Sequence, residues 1–372
     1  MTAKKGSRTP QKRRDTNDST ATATPLGRKR ASTAESLSPQ TPAKRVKEEI
    51  SVDEAKLYDR QIRLWGIEAQ QRMRNTKALV LGMCGLTLEI CKNLTLAGLG
   101  SITIVEDKVA TDRDLGSLFF LSESDLGRNK GQAVLARLRD LNPRVELEVL
   151  EVVASEQADS FFEQFGVICT SIPDLGLMLR LDKICRDKNI SFWAGGVSGM
   201  FGYFFTDLKE HQYAVETKSI TTKSDEIAKV TRSEHTEAYQ SLEHSLQKKW
   251  GALSKKELKR TSAVYFGWNL LLKFQSKFGR LPQETDADVK EMRVLRDAYV
   301  SEHQIPSSFL TDDYVRTWAR MAALEVMPVC AIVGGLLAQE ILKVVSKKEL
   351  PFNNYYCYYA LEGVGYVMKV ES

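Results

Sequence analysis

The chain has 372 residues, 42% of them hydrophobic and 27% charged, which is ordinary for a soluble protein of one large or two smaller domains. No run of about 18 apolar residues is present, so no membrane span is expected, and the first residues lack the apolar core of a secretory signal. The net charge of +5 is uneven, because residues 1–50 hold 12 Lys/Arg against 5 Asp/Glu and the rest hold 41 against 43, so the body gives no case for nucleic-acid binding.

Residues 1–52 read as a disordered basic tail. The first 50 contain no aromatic residue, 13 Ser/Thr and four prolines, too little apolar surface to offset the entropy of ordering. Its charge is clustered, and Pro42-Ala-Lys-Arg-Val-Lys47 is similar to a nuclear-localisation signal. Four Ser/Thr-Pro pairs (Thr9, Thr24, Ser38, Thr41) are candidate phosphorylation sites that would offset this charge.

Residues 53–74 read as a helix, with Leu57, Ile62, Trp65 and Met73 on part of one face and Gly66 bending or breaking it. Lys77–Leu81 is a short apolar strand, 82–85 a turn, and 86–97 a helix with Leu86, Ile90, Leu94 and Ala97 at helical spacing. Gly98 and Gly100 end that helix, and the next strand, 101–105, closes on Glu106-Asp107. A βαβ unit with an acid about 20 positions past its loop is the frame of a Rossmann-type site, where the acid holds a ribose hydroxyl. Helices at 128–141, 155–165 and 174–188 alternate with strands at 145–150, 166–171 and 190–195. That alternation predicts an α/β fold with a mostly parallel sheet, its first part running over 53–209.

Residues 210–325 read as a helical insertion, with helices near 233–249, 254–276, 285–300 and 312–325. All four histidines lie there, at 211, 235, 244 and 303, in no ligand spacing. The final part, 326–372, opens on an almost wholly apolar helix, 329–345, expected to be buried. Gly334-Gly335 in its middle points to close approach of another backbone, a partner's included. A β-hairpin, 353–360 with 365–370, ends the chain. The six cysteines, at 84, 91, 169, 185, 330 and 357, form no CxxC pair and read as reduced, buried thiols rather than zinc ligands.

The loop Gly82-Met-Cys-Gly-Leu-Thr87 carries a conflict. A phosphate-binding turn works through bare backbone N–H groups at a helix N-terminus. Gly82 and Gly85 keep the turn, whereas the Cβ atoms of Cys84 and Thr87 crowd the surface a pyrophosphate needs. On these residues alone, a scaffold and a ligand site remain equal readings.

The order of landmarks adds to this. Tyr58-Asp-Arg-Gln-Ile-Arg-Leu-Trp-Gly66 is followed by the Gly82 loop with Glu89-Ile-Cys-Lys-Asn-Leu94. Then come Gly127-Arg-Asn-Lys130, Leu141-Asn-Pro143 and Pro328-Val-Cys-Ala-Ile-Val-Gly-Gly335. From about 53 to 370 the chain resembles the ubiquitin-like-modifier-activating enzymes, and among them the smaller, pseudo-catalytic subunits of the heterodimeric kind that serves SUMO. The resemblance implies two related Rossmann-like adenylation modules in a pseudo-symmetric pair. One binds ATP and Mg2+ and adenylates the C-terminal glycine of the modifier; the larger subunit then carries the modifier on a cysteine.

Departures from the family pattern assign this chain to the other module. Active modules have a GxGGxG-like loop and an Asn-Leu-Asn-Arg-type stretch after the ribose acid; here stand Gly82–Thr87 and Asp114-Leu-Gly-Ser117, without the phosphate-contacting arginine. A magnesium-binding Asp is replaced by Pro173, with Asp174 beside it, and no cysteine-bearing catalytic domain follows. Glu106 and Lys130 are then residual, and no metal is expected in this chain. The resemblance gives Arg60, the arginine of Tyr-Asp-Arg-Gln, a contact across the interface to the ATP γ-phosphate; Arg63 is a weaker candidate with an ion-pair alternative. The implied partners are the larger catalytic-cysteine subunit, SUMO and, for the tail, a nuclear import receptor; the implied location is the nucleus. Two other enzymes stay open: the equivalent subunit for a Rub/Nedd-type modifier, which has a longer helical insertion, and a stand-alone adenylyltransferase or dehydrogenase, whose own loop must bind ATP or NAD. A non-enzymatic scaffold is the remaining alternative.

Overall fold

The computed structural model describes residues 50–218, 230–251 and 253–371; the tail, with its localisation-like cluster and Ser/Thr-Pro pairs, lies outside them. Three helices open the described part, α1 (Val52–Leu57), α2 (Asp59–Trp65) and α3 (Ile67–Asn75). The single helix expected over 53–74 is therefore broken twice. Gly66 caps α2 at φ 84°, a conformation that favours glycine, and Tyr58 leaves helical geometry between α1 and α2. Of the anticipated apolar face, Met73 is buried while Leu57 is 59% exposed.

Then follow β1 (Lys77–Leu81), α4 (Gly85–Ala97), β2 (Ser101–Val105), α5 (Lys130–Leu141), β3 (Glu146–Leu150), α6 (Asp159–Phe162), β4 (Val167–Thr170), α7 (Leu175–Lys188), β5 (Ser191–Ser198) and β6 (Phe201–Asp207). The helix expected over 155–165 shortens to the four residues of α6 after a 3-10 turn. Strands β1 to β5 are parallel in the order 3-2-1-4-5. The chain winds outward from β1 to β3 and returns to β4 on the other side of β1. The loops after β1 and β4 thus diverge at a switch point, where such sheets open a crevice.

Burial follows position in the sheet. Central β1 (Lys-Ala-Leu-Val-Leu) buries four consecutive residues because helices cover both faces. Edge strand β3 (Glu-Leu-Glu-Val-Leu) alternates, with Glu146 and Glu148 in water. Beyond β5 the sheet turns antiparallel through β6, β9 (Tyr355–Tyr359) and β10 (Val364–Met368). The closing hairpin thereby becomes the second edge of the sheet.

The 210–325 stretch differs from the sequence expectation at its start. Residues 230–238, read largely as helix, form β8 (Val230–Ala238), paired antiparallel with β7 (Glu210–Lys218) over nine residues. The cross-strand partner decides strand here, and a single segment does not display its partner. After α8 (Leu242–Leu246) and α9 (Lys255–Leu258) come α10 (Ala263–Phe278), α11 (Asp286–His303) and α12 (Asp312–Met321). Helices α8, α10, α11 and α12 share one core with the sheet, which alternate β6 residues Phe201, Tyr203 and Phe205 join. Phe201 stacks on Trp318 with ring centroids 4.5 Å apart, and Tyr203 lies 3.9 Å from Trp268. Each such aromatic side chain removed from water contributes about 2–3 kcal/mol.

The intervening Phe204 joins the opposite cluster, made with α4, α5 and α13 (Met327–Ser346). Helix α13 is long and apolar enough to cross a membrane by length and composition, which the count of consecutive apolar residues did not anticipate. It lies against α3, α4 and β6 instead. Gly334 makes the contact with α4 possible, because a Cβ there meets Glu89 Cβ at 2.7 Å and the Leu86 carbonyl at 2.9 Å. The close backbone expected beside the glycine pair is thus this chain's own α4. Gly335 faces open space.

Candidate functional site

The crevice at the switch point holds a cavity of ≈ 330 Å³ lined by the loop Gly82–Cys84, by Glu106 to Lys108, by Lys130 and by Ser171 to Asp174. Gly82 turns the chain out of β1 at φ 84°. The loop N–H groups, which a phosphate would need, all have partners within the chain. Gly82 donates to the Val105 carbonyl at 2.9 Å. Met83 donates to Glu106 Oε2 at 2.6 Å, and Cys84 to Thr87 Oγ1 at 2.9 Å. Gly85, the first residue of α4, donates to Glu325 Oε2 at 2.9 Å. The same Glu325 oxygen accepts the Ser117 hydroxyl at 2.9 Å.

The acid expected at the ribose position is also engaged. Glu106 is 3% exposed, and its second oxygen accepts the Lys108 N–H at 2.8 Å. The Lys130 ammonium is nearly buried, 3.6 Å from Glu106 and 3.7 Å from Asp114. Asp174 caps α7 by accepting the Leu177 N–H at 3.0 Å. Among the described residues, no three His, Cys, Asp or Glu side chains converge as metal ligands. Burial, and next the charge of Glu325, push the Cys84 thiol up to about 12, so it carries no thiolate at neutral pH. The residues present do not fit a nucleotide's phosphates: the donors are taken, and the acids Glu106, Asp107, Asp114, Asp174 and Glu325 outnumber Lys108 and Lys130.

A different arrangement occupies the other end of α4. The Tyr58 ring lies against Gly98, and its hydroxyl accepts Asn142 Nδ2–H at 2.7 Å. Asn142 also donates to the Thr95 carbonyl at 2.9 Å, and Gln70 donates to the Ala97 carbonyl at 3.1 Å. The opening helices are therefore pinned where α4 ends, and its thirteen residues put about 20 Å between that end and the loop. Arg60 follows Tyr58 by two positions. It is exposed and has no hydrogen-bond or ion-pair partner among the described residues. Arg63, one turn on, pairs with Asp59 at 2.9 Å. Leu57, Leu64 and Ile67, all more than half exposed, surround this arginine pair in sequence.

The profile of the ThiF family matches residues 58–370, which takes in both ends of α4 and the whole sheet. The chain belongs to the ThiF family. SUMO-activating enzyme subunit 1 of Rattus norvegicus is 35% identical over 334 residues, spanning 86% of this chain and 95% of the relative. The Homo sapiens protein of that name gives the same figures, and that of Xenopus laevis is 36% identical over 323 residues, 82% of this chain and 93% of the relative. The mostly parallel eight-stranded sheet agrees with the Rossmann-like module expected from the sequence.

Within this ThiF chain the structure brings Gly82, Cys84, Gly85, Thr87, Glu106 and Lys130 together, and sets Arg60 and Arg63 apart from them. Sequence reasoning missed Glu325, 240 residues from Gly85 along the chain. Its one sequence signal is an acid two positions ahead of an apolar helix that begins Met-Pro. In the sequence Ser117 stands out only as a missing arginine; in the fold its hydroxyl donates to Glu325.

Proposed function

We propose that this chain works as the smaller subunit of a SUMO-activating enzyme, a ligase-class activating enzyme that uses ATP and Mg2+, and that it is inactive alone. Its larger partner holds the nucleotide and metal, and Arg60 of this chain reaches the γ-phosphate from across the interface. The observation that carries this reading is the contrast in donors: the loop's own N–H groups are engaged within the chain, while Arg60, at the far end of α4, is exposed and has no partner among the described residues. A guanidinium offers a delocalised charge and planar donors to phosphate oxygens. Exposed Leu57, Leu64 and Ile67 supply the apolar surface that a partner subunit covers. The chain spans 95% of the length of the SUMO-activating relatives, which favours SUMO over a Rub/Nedd-type modifier. The basic tail, through residues 42–47, serves import into the nucleus.

The test is adenylation by the reconstituted pair. Arg60→Ala lowers its rate by about 10²–10³-fold, the usual loss for a donor that stabilises charge in a transition state, while the pair still co-elutes. Unchanged adenylation by the variant pair would exclude the arginine's role.

A further inference from the structure

We propose that Glu325 is the residue that excludes nucleotide from this chain, its carboxylate standing at the amino end of α4 in place of a phosphate. This deepens the reading of the chain as the inactive partner and rests on it. The sequence points to the Cβ atoms of Cys84 and Thr87 as the obstruction. Geometry puts a charge, and not those Cβ atoms, at the anion position. Thr87 folds back to accept the Cys84 N–H at 2.9 Å, and the Cys84 thiol turns to Ser171 at 3.3 Å.

What occupies the anion position is a carboxylate. Glu325 Oε2 takes the Gly85 N–H and the Ser117 hydroxyl, each at 2.9 Å. The segment carrying Glu325 is itself fixed: Gly199 N–H donates to the Leu324 carbonyl at 2.8 Å, and Gly199 forms a bridge with Glu325. An anion arriving at Gly85 meets both an occupied donor and a like charge, which a helix N-terminus alone does not overcome.

The experiment titrates inorganic pyrophosphate, and separately ATP, into the full-length chain and its Glu325→Gln and Glu325→Ala variants by calorimetry, following the Gly85 amide resonance by NMR. Glu325→Gln keeps an acceptor for Gly85 and Ser117 and removes only the charge, so it serves where the alanine variant fails to fold. The unaltered chain is expected to show no saturable binding. Both variants gain pyrophosphate binding at least about tenfold tighter than any residual binding of the unaltered chain, equivalent to about 1.4 kcal/mol, and the Gly85 resonance moves with it. Folded Glu325→Gln that binds no pyrophosphate overturns the inference alone. Binding of pyrophosphate and ATP by the unaltered chain overturns both the inference and the reading of the chain as an inactive partner.

Discussion

At the amino end of α4, four consecutive loop N–H groups donate within the chain, three of them to the side chains of Glu106, Thr87 and Glu325. At its carboxyl end, Tyr58 and Asn142 pin a helix whose next arginine is exposed and unpartnered among the described residues. One end keeps the turn of a binding loop with its donors taken; the other carries, among the described residues, an exposed arginine without a partner. Donors already satisfied within the chain gain little from a ligand, and this difference supports the proposal that the remaining chemistry lies at the α2 end.

The largest expected effect is the adenylation loss in Arg60→Ala described above, and a pair that adenylates normally would erase the contrast. Next comes α13, which packs along α4 between the two ends. Gly334→Val forces a side chain into Glu89 and the Leu86 carbonyl, and overpacking of this kind costs about 1–3 kcal/mol. Gly335→Ala meets nothing within 4 Å and raises stability by up to about 1 kcal/mol through helix propensity. Urea unfolding of the two variants separates them; equal shifts would show that α13 is not held against α4 as described.

A third prediction lies away from both ends. Asp182 and Asp207 are both buried. Desolvation, and next the charge of Asp207, push the Asp182 carboxyl up to about 8. Between the ordinary carboxylate value and about pH 8 the folded chain holds a proton that the unfolded chain has lost. Stability therefore falls as pH rises through that window, by at most about 1.4 kcal/mol per pH unit, and the full cost is present above it. Asp182→Asn keeps an acceptor for the Leu242 N–H, which Asp182 takes at 2.8 Å. It should flatten the profile and be more stable than the unaltered chain at pH 8 and above. A pH series of unfolding curves checks this; parallel curves would mean that Asp182 is already ionised in the folded chain.

The smallest effect belongs to Arg63→Ala. Its exposed pair with Asp59 at i,i+4 is worth about 0.3–0.5 kcal/mol. Adenylation should change by less than about threefold, within that energy. A loss as large as that of Arg60→Ala would make the two arginines equal and blunt the comparison.

Much of the parallel half of the fold was legible, because strands β1 to β5 and helices α4, α5 and α7 carry their own apolar periods and end signals, such as Gly98 after α4 and Asp174 before α7. The β7–β8 hairpin was not, since Thr231 to Ala238 bear no strong local preference and their state is decided by pairing. The loop's frame was visible in Gly82 and Gly85. What fills it was only half visible, because Thr87 is local while Glu325 arrives from the far side of the helical insertion.

By itself, then, the sequence determined the frame: a βαβ start, an acid after β2, a Tyr-Asp-Arg-Gln helix ahead of it and an apolar helix near the end. Those features are written in spacing over a few residues, where 3.6- and 2-residue periods act. Only the tertiary structure decided which polar groups are already satisfied and which are free. Hydrogen bonds and like charges form between residues up to 240 positions apart, so the same glutamate is an ordinary acid in the sequence and an internal anion in the fold.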